Sequence, residues 1–389
     1  MRILTLIPEE SSLKYSLYNT ENEMPLTNGI FERIGLEGSK YSILYNDEEI
    51  VEEIDIQDYD IAINILLDKL VSLDFIHNYE DIKCIGHKIL HGREIYKNST
   101  IITKDVVEDL RDIVELYEDV NINIKCIETI WDKFESITQV GVFDTGFYMD
   151  MEKDNYLYSV PYEWYDKYSI RKYGFYGLKN RFITNKVTEL IGKNHKLVTC
   201  LLGSNTCVSA IKDGKCVDTS MGFSMLDGAI MGTRSGLIDP TIITYIMEKE
   251  GKNALEVLGD LNTQSGLLGL SEFSSKLSDI IENPNEKTNI AKNMYIRRVV
   301  DYISSYYMLL DGIDAIVLSG NIGINNIDVR RELFSKLEIL GVKIDTEKNN
   351  HVDELIKVST DDSKIQIYII PSEEESIILE DILNLVRNG

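Results

Sequence analysis

Short apolar runs alternate along this chain with longer stretches whose apolar positions recur at helical spacing, which predicts strands interleaved with helices. Residues 2–7 read as an apolar strand, Pro8 to Ser12 as a turn, and Leu13 to Tyr18 as a returning strand. A similar unit recurs near mid-chain: Lys196 to Leu202 is a strand, Gly203 to Thr206 a turn, and Cys207 to Ile211 a second strand closed by Asp213-Gly214. Another strand, Ala315 to Leu318, runs into Ser319-Gly320-Asn321-Ile322-Gly323 and then a helical pattern from Asp328 to Leu340. Helices are expected over Tyr59 to Leu73, Lys104 to Tyr117 and Ala291 to Leu310. Two halves that each open strand–turn–strand suggest a duplication, with two similar α/β domains around a cleft.

Length supports that division, because 389 residues exceed what one compact core usually holds. At 43% hydrophobic with six prolines, the chain has the composition of a folded protein. A formal net charge of −25 argues against nucleic acid or an anionic membrane as partner, though not against a local basic pocket. The five cysteines lack metal-type spacing, and Cys84, Cys126 and Cys200 sit in apolar runs as small core residues. The start Met1-Arg2-Ile3-Leu4-Thr5 reads as a strand rather than a secretory leader, and no segment approaches the ~20 apolar residues of a membrane span. A cytoplasmic location is expected.

The heptapeptide Met231-Gly232-Thr233-Arg234-Ser235-Gly236-Leu237 carries the clearest chemistry. One guanidinium among small residues can approach a phosphate or carboxylate closely and grip it through two parallel hydrogen bonds. Turns after apolar strands, such as those following Leu202 and Leu318, can present backbone N–H groups to phosphate. Three ordinary loops remain the alternative on these features alone.

Motifs along nearly the whole chain resemble the acetate kinase family, within the acetate and sugar kinase, heat-shock chaperone and actin superfamily. They include Ser11 to Tyr15, Gly86-His87 with His91-Gly92, Val142 to Phe147, and Tyr173-Gly174-Phe175. Asp213 to Lys215, Val217 to Phe223, Met231 to Gly236, Ser265 to Ser271, Ser359 to Ser363, and Ile370-Pro371 with Glu374 continue the series. The resemblance implies two actin-like (ribonuclease H-like) domains around a central cleft. The first would cover 1–145, completed by 375–389, and the second 146–374, carrying a homodimer interface. It also implies transfer of the γ-phosphoryl of ATP to a short carboxylate with Mg²⁺, chemistry that rests on positioning and electrostatics. Carried over, Arg234 is a clamp for phosphoryl and carboxylate, Asp144 an active-site carboxylate, and Glu374 the metal-orienting residue. Leu90, Leu116 and Phe175 would line the acyl pocket, while Ser12, Lys14, Gly203 and Gly323 would approach the nucleotide. The anion in the site would be a short carboxylate, an acyl phosphate or phosphate.

Several positions depart from the family pattern. Ile7-Pro8-Glu9-Glu10 replaces an Asn-Ala-Gly-Ser turn, so an amide is lost and two carboxylates enter. Lys88 stands for a second clamp arginine, keeping the charge without the planar fork. Tyr176 stands for a phosphoryl-facing histidine and Tyr117 for another. Leu201 to Cys207 loses the second glycine of its turn, Lys276 and Ser278 replace an aspartate and an arginine, and the turn at Asn321 to Asn325 is altered. Arg93, Lys179 and Lys276 are added cations. These changes predict that ATP and Mg²⁺ handling is eroded and that ATP:acetate phosphotransfer is weak or absent. The alternatives are a working carboxylate kinase with a different phosphoryl donor or acceptor, and a non-catalytic dimeric binding or regulatory protein.

Overall fold

The computed structural model describes the whole chain except residues 22–23, 115–116, 135, 351–354 and 389. It divides into two compact units, Met1–Gly146 with Glu373–Gly389, and Phe147–Ser372.

In the first unit the strands are β1 (Arg2–Glu9), β2 (Ser12–Asn19), β3 (Pro25–Glu32), β4 (Lys40–Tyr45), β5 (Glu48–Glu53), β6 (Ile82–Ile89), β7 (Thr100–Ile101) and β8 (Thr138–Phe143). They form one sheet in the order β5-β4-β3-β2-β1-β6-β8-β7. β1 pairs antiparallel with β2 and parallel with β6, and β6 pairs parallel with β8. Pro8 does not open a turn as expected. β1 continues through Glu9, with Pro8 opposite Leu13, and the reversal takes only Glu10 and Ser11. Leu4, Leu6, Leu13, Leu17 and Ile85 face the helices Tyr59–Ser72 and Val120–Lys133, which contribute Ile63, Leu66, Leu67, Cys126 and Ile130 to the same core. Asp58 starts the first of these helices, its side chain accepting from the Ile61 N–H.

The opposite face of β6 takes the C-terminal helix, Glu374–Asn388. The reason is local. Side chains alternate along a strand, so Gly86 and Lys88 point the same way. The helix positions 374, 378 and 382 recur at i, i+4, i+8 and share one stripe. A Cβ at Gly86 would lie 2.5 Å from both Ile378 Cγ2 and Ile382 Cδ1, so any other residue would force these side chains or the helix to shift.

The second unit repeats the scheme with β9 (Lys196–Leu202), β10 (Thr206–Lys212), β11 (Lys215–Thr219), β12 (Ala315–Ser319), β13 (Ile356–Lys357) and β14 (Gln366–Ile369). Their order is β11-β10-β9-β12-β14-β13, with β9, β12 and β14 parallel. The run β3-β2-β1-β6-β8 of the first sheet and β11-β10-β9-β12-β14 of the second have the same topology. One face of the second sheet packs Val198, Cys200, Leu202, Ile316 and Leu318 against the helices Glu286–Leu309 and Ile327–Ser335. The other face receives the helix Gly177–Ile191 through buried Asn180, whose amide donates to Tyr148 Oη and Ser209 Oγ and accepts from Thr199 Oγ1. All five cysteines are buried and reduced. No described helix is long and apolar enough to cross a membrane.

Candidate functional site

Within the first unit, the shared face of β6 and the C-terminal helix brings Lys88 to Glu374. The Lys88 Nζ lies 2.5 Å from Glu374 Oε1, and both residues are buried. Asn123 holds the strand beneath them by donating to the Lys88 carbonyl at 2.8 Å. Burial acts to lower the lysine pKa. The Glu374 and Asp144 carboxylates and the hydrogen bond to Glu374 overcome it and raise the pKa above the usual lysine range, so Lys88 is charged. Asp144 begins the short 3₁₀ turn Asp144–Tyr148 after β8 and is also buried. This is a charge cluster of one ammonium and two carboxylates.

Those residues do not fit a divalent cation as they stand. The Glu374 oxygen that would ligate it is held by an ammonium, and an ammonium and a divalent ion repel at one carboxylate. Among the described residues no three acidic, histidine or cysteine side chains converge as a metal site.

The expected nucleotide residues of the first hairpin, Ser12 and Lys14, both engage Glu9. Ser12 Oγ donates to Glu9 Oε2 at 3.2 Å, and Lys14 Nζ is 3.8 Å from Glu9 Oε1. Glu9 and Glu10 are exposed, while Ile7 is buried in the core. Leu90 is half-buried just beyond β6, and Leu116 lies outside the described residues. The two histidines of the motif region support packing. His87 meets Gln139 at 2.6 Å, and His91 accepts from the Arg93 N–H and stacks on Tyr117 at 4.3 Å between ring centroids. Arg93 donates to the Asp112 carbonyl.

Within the second unit, the carboxyl ends of β9, β12 and β14 open onto a cavity of about 200 Å³. Sheets of this kind bind ligands at such an edge. Its lining includes Tyr176, Lys179, Gly203, Asn205, Asn321 and Ser372. Gly320, at φ +76°, turns the chain where a Cβ would lie 2.5 Å from the Leu202 carbonyl oxygen. Gly323, expected at this edge, instead packs toward Leu318 and Leu202, and Gly320 with Asn321 forms the wall. The reason is that the chain enters the helix Gly320–Asn325 at once, which turns Gly323 back against the strands. Gly203 keeps its place on the rim.

Arg234 is set by a woven loop. The Gly232 N–H donates to the Ser204 carbonyl, Ser235 to Leu261, Ser265 to Thr233, and Leu267 to Met231. Gly266, at φ +62°, is required because a Cβ there would meet the Met231 and Arg234 carbonyl oxygens at 2.3 and 2.7 Å. The Arg234 Nη1 donates to Asn205 Oδ1 at 2.8 Å and Nε to Asn262 Oδ1 at 3.3 Å. Among the described residues no carboxylate pairs with this guanidinium. Asn205 Nδ2 donates in turn to Tyr176 Oη at 2.7 Å. Tyr176 occupies the left-handed region, φ 63°, at the start of the helix Gly177–Ile191, and Lys179 lies over its ring. Phe175 is fully buried, its carbonyl accepting from Tyr148 Oη. Sequence reasoning found Arg234, Tyr176 and Lys179 but gave Asn205 and Asn262 no role. Asn262 is 28 residues from Arg234 and carries no motif of its own.

A model of the acetokinase family matches residues 2–380. The acetate kinase of Bacillus subtilis is 40% identical over 393 residues, spanning 99% of this chain and all of its own length. Among solved structures, the acetate kinase of Porphyromonas gingivalis superposes with a TM-score of 0.91 at 32% identity, covering 99% of each chain. A propionate kinase from Francisella tularensis gives 0.91 at 31% identity, covering 98% of each. The two similar α/β units are those of the actin-like fold these enzymes share.

Proposed function

We propose a function on one premise: this chain belongs to the acetokinase family. It is a carboxylate-kinase-fold protein that binds a small anion, either a short carboxylate, an acyl phosphate or phosphate. Its transfer of a phosphoryl group between ATP and acetate, giving acetyl phosphate and ADP, is strongly weakened. The observation that carries this reading is the buried Lys88–Glu374 pair, which commits the metal-orienting carboxylate to an internal cation.

Anion binding is supported by Arg234. In a chain of net charge −25 its guanidinium is held by two neutral amides rather than by a carboxylate. Its charge is therefore available to a ligand. The adjacent cavity, with Lys179 and the Asn321 and Ser372 polar groups, has room for a phosphate-sized anion. The chemistry open to these residues is binding and orientation. Mg²⁺ and ATP are the family's cofactors, and their use here requires Glu374 to leave Lys88. Loss of single transition-state donors costs ~10²–10³ in rate, and here Tyr176 and Lys88 replace two of them.

A coupled assay with ATP, Mg²⁺ and acetate tests the reading. Expected turnover lies at least about a hundredfold below the 1–100 s⁻¹ common for kinases, and a rate inside that range sinks it. Lys179 at the cavity favours a second reading, a working carboxylate kinase with an altered donor. It requires that ATP, GTP, pyrophosphate or acetyl phosphate raise the melting temperature and support transfer to a short carboxylate.

The protein also works as a homodimer in the cytoplasm. The helix Thr241–Glu250 buries none of its side chains, and Leu237, Ile242, Tyr245, Leu255 and Leu258 are exposed around it. An apolar face of this kind marks an interaction surface, and a second copy of the chain is its occupant.

A further inference from the structure

We propose that Asn205 is a positioning residue for Arg234, a neutral latch that fixes the guanidinium and leaves its charge to an incoming oxyanion. The inference rests on the anion-binding reading above and adds the residue that prepares the site.

The donor logic leaves one orientation for the Asn205 amide. A guanidinium can only donate, so the side-chain oxygen must face Arg234 Nη1, where it accepts at 2.8 Å. The Nδ2 group then faces Tyr176 and donates to its oxygen at 2.7 Å. Tyr176 acts as an acceptor on that side, so its own proton is directed elsewhere. Asn205 thereby ties together the start of the helix Gly177–Ile191, the turn after β9, and the loop that carries Arg234. The backbone supports the same link, because the Gly232 N–H donates to the carbonyl of neighbouring Ser204 at 2.8 Å. Asn205 also lines the cavity, so one side chain touches both the cavity and the arginine.

Neutrality is the essential property. An aspartate here would have the same shape and would hold Arg234 more tightly, but it would spend the charge that attracts an anion. An amide orients the guanidinium through a bond of modest strength and keeps the field positive. With Nε on Asn262 and Nη1 on Asn205, and no described residue bonded to Nη2, that group can meet an oxyanion.

The test compares the full-length protein with N205A, N205D and R234A. Inorganic phosphate binding is measured by calorimetry, and the Arg234 guanidinium is followed by ¹⁵N NMR. In the wild type, R234A-sensitive phosphate binding and a restrained Arg234 signal are expected. N205A should release that signal and weaken phosphate binding about fivefold, the size of one net hydrogen bond. N205D should keep the signal restrained and the melting temperature unchanged, yet weaken phosphate binding about tenfold or more. A merely structural role would not separate N205D from the wild type, and N205D binding phosphate as tightly as the wild type overturns the proposal. An Arg234 signal unchanged in N205A also overturns it, whether or not the wild type binds phosphate. Fast acetate turnover would sink the weak-transfer reading alone, and absence of R234A-sensitive phosphate binding would sink the anion reading alone. In either case the NMR comparison still decides the role of Asn205.

Discussion

At the scale of single residues, neighbours decide what a retained or replaced side chain can do. Glu374 and Asp144 keep the acidic character the family resemblance assigns them, and Lys88 holds Glu374 in a buried ion pair. Arg234 stood out as a candidate anion clamp because small residues surround it in sequence. Its two amide partners did not, since they come from other segments. His87 gives a prediction at this scale. It is fully buried, and desolvation lowers its pKa to about 4, only partly opposed by its contact with Gln139. The unfolded chain, with an ordinary histidine near 6.5, takes up the proton first. Stability is therefore full above pH ~6.5 and falls as pH drops toward 4, by about 3 kcal/mol from this group. Urea titrations at pH 7 and pH 5 should show the loss, and H87Q should show a smaller one. Equal pH dependence in both proteins would contradict the assignment.

Elements with strong apolar patterning were legible and those without it were not. β9 runs from Lys196 to Leu202 as its apolar run indicates, and the helix Tyr59–Ser72 ends one residue before its expected limit. β5, Glu48–Glu53, was missed because it is an edge strand, four of whose six residues are glutamates exposed to solvent. Pro8 misled the turn assignment for a related reason. Position 8 of β1 donates no ladder bond that its antiparallel partner needs, so proline is tolerated there. The contact of β6 with the C-terminal helix yields a prediction. G86A should destabilise the first unit by about 1–3 kcal/mol through overpacking against Ile378 and Ile382. The Lys88–Glu374 pair should loosen with it. Chemical denaturation checks the first effect, and an unchanged midpoint would rule out the tight fit. A second element depends on Arg330, fully buried, which donates to the Gly323 and Ile324 carbonyls and to Asn349. R330M should cost about 3 kcal/mol or more, because these acceptors would be left buried and unpaired. A melting temperature within a degree of wild type would show that they find other partners.

For the whole molecule, the sequence indicated a chain of two similar α/β units, and the two sheets, of eight and six strands, share a run of five strands in the same topology. The homodimer is a prediction of this scale. Light scattering at micromolar concentration should give twice the 44.5 kDa chain mass. Charge placed on the apolar face, as in Y245E with I242E, should shift the mass toward the monomer while the circular dichroism spectrum stays unchanged. A monomeric wild type would remove the second copy as occupant of that face.

The sequence by itself determined the fold family, the neighbouring strand pairs β1–β2 and β9–β10, and the departures at Ile7, Lys88 and Tyr176. These are properties of local pattern and residue identity, which a linear chain displays directly. Only the tertiary structure decided that Lys88 neutralises Glu374 and that Asn205 and Asn262 hold Arg234 without neutralising it. Lys88 and Glu374 are 286 residues apart, and their meeting depends on strand pleat, helix periodicity and one glycine. Electrostatic roles follow distance and burial, and neither is written in the order of the residues.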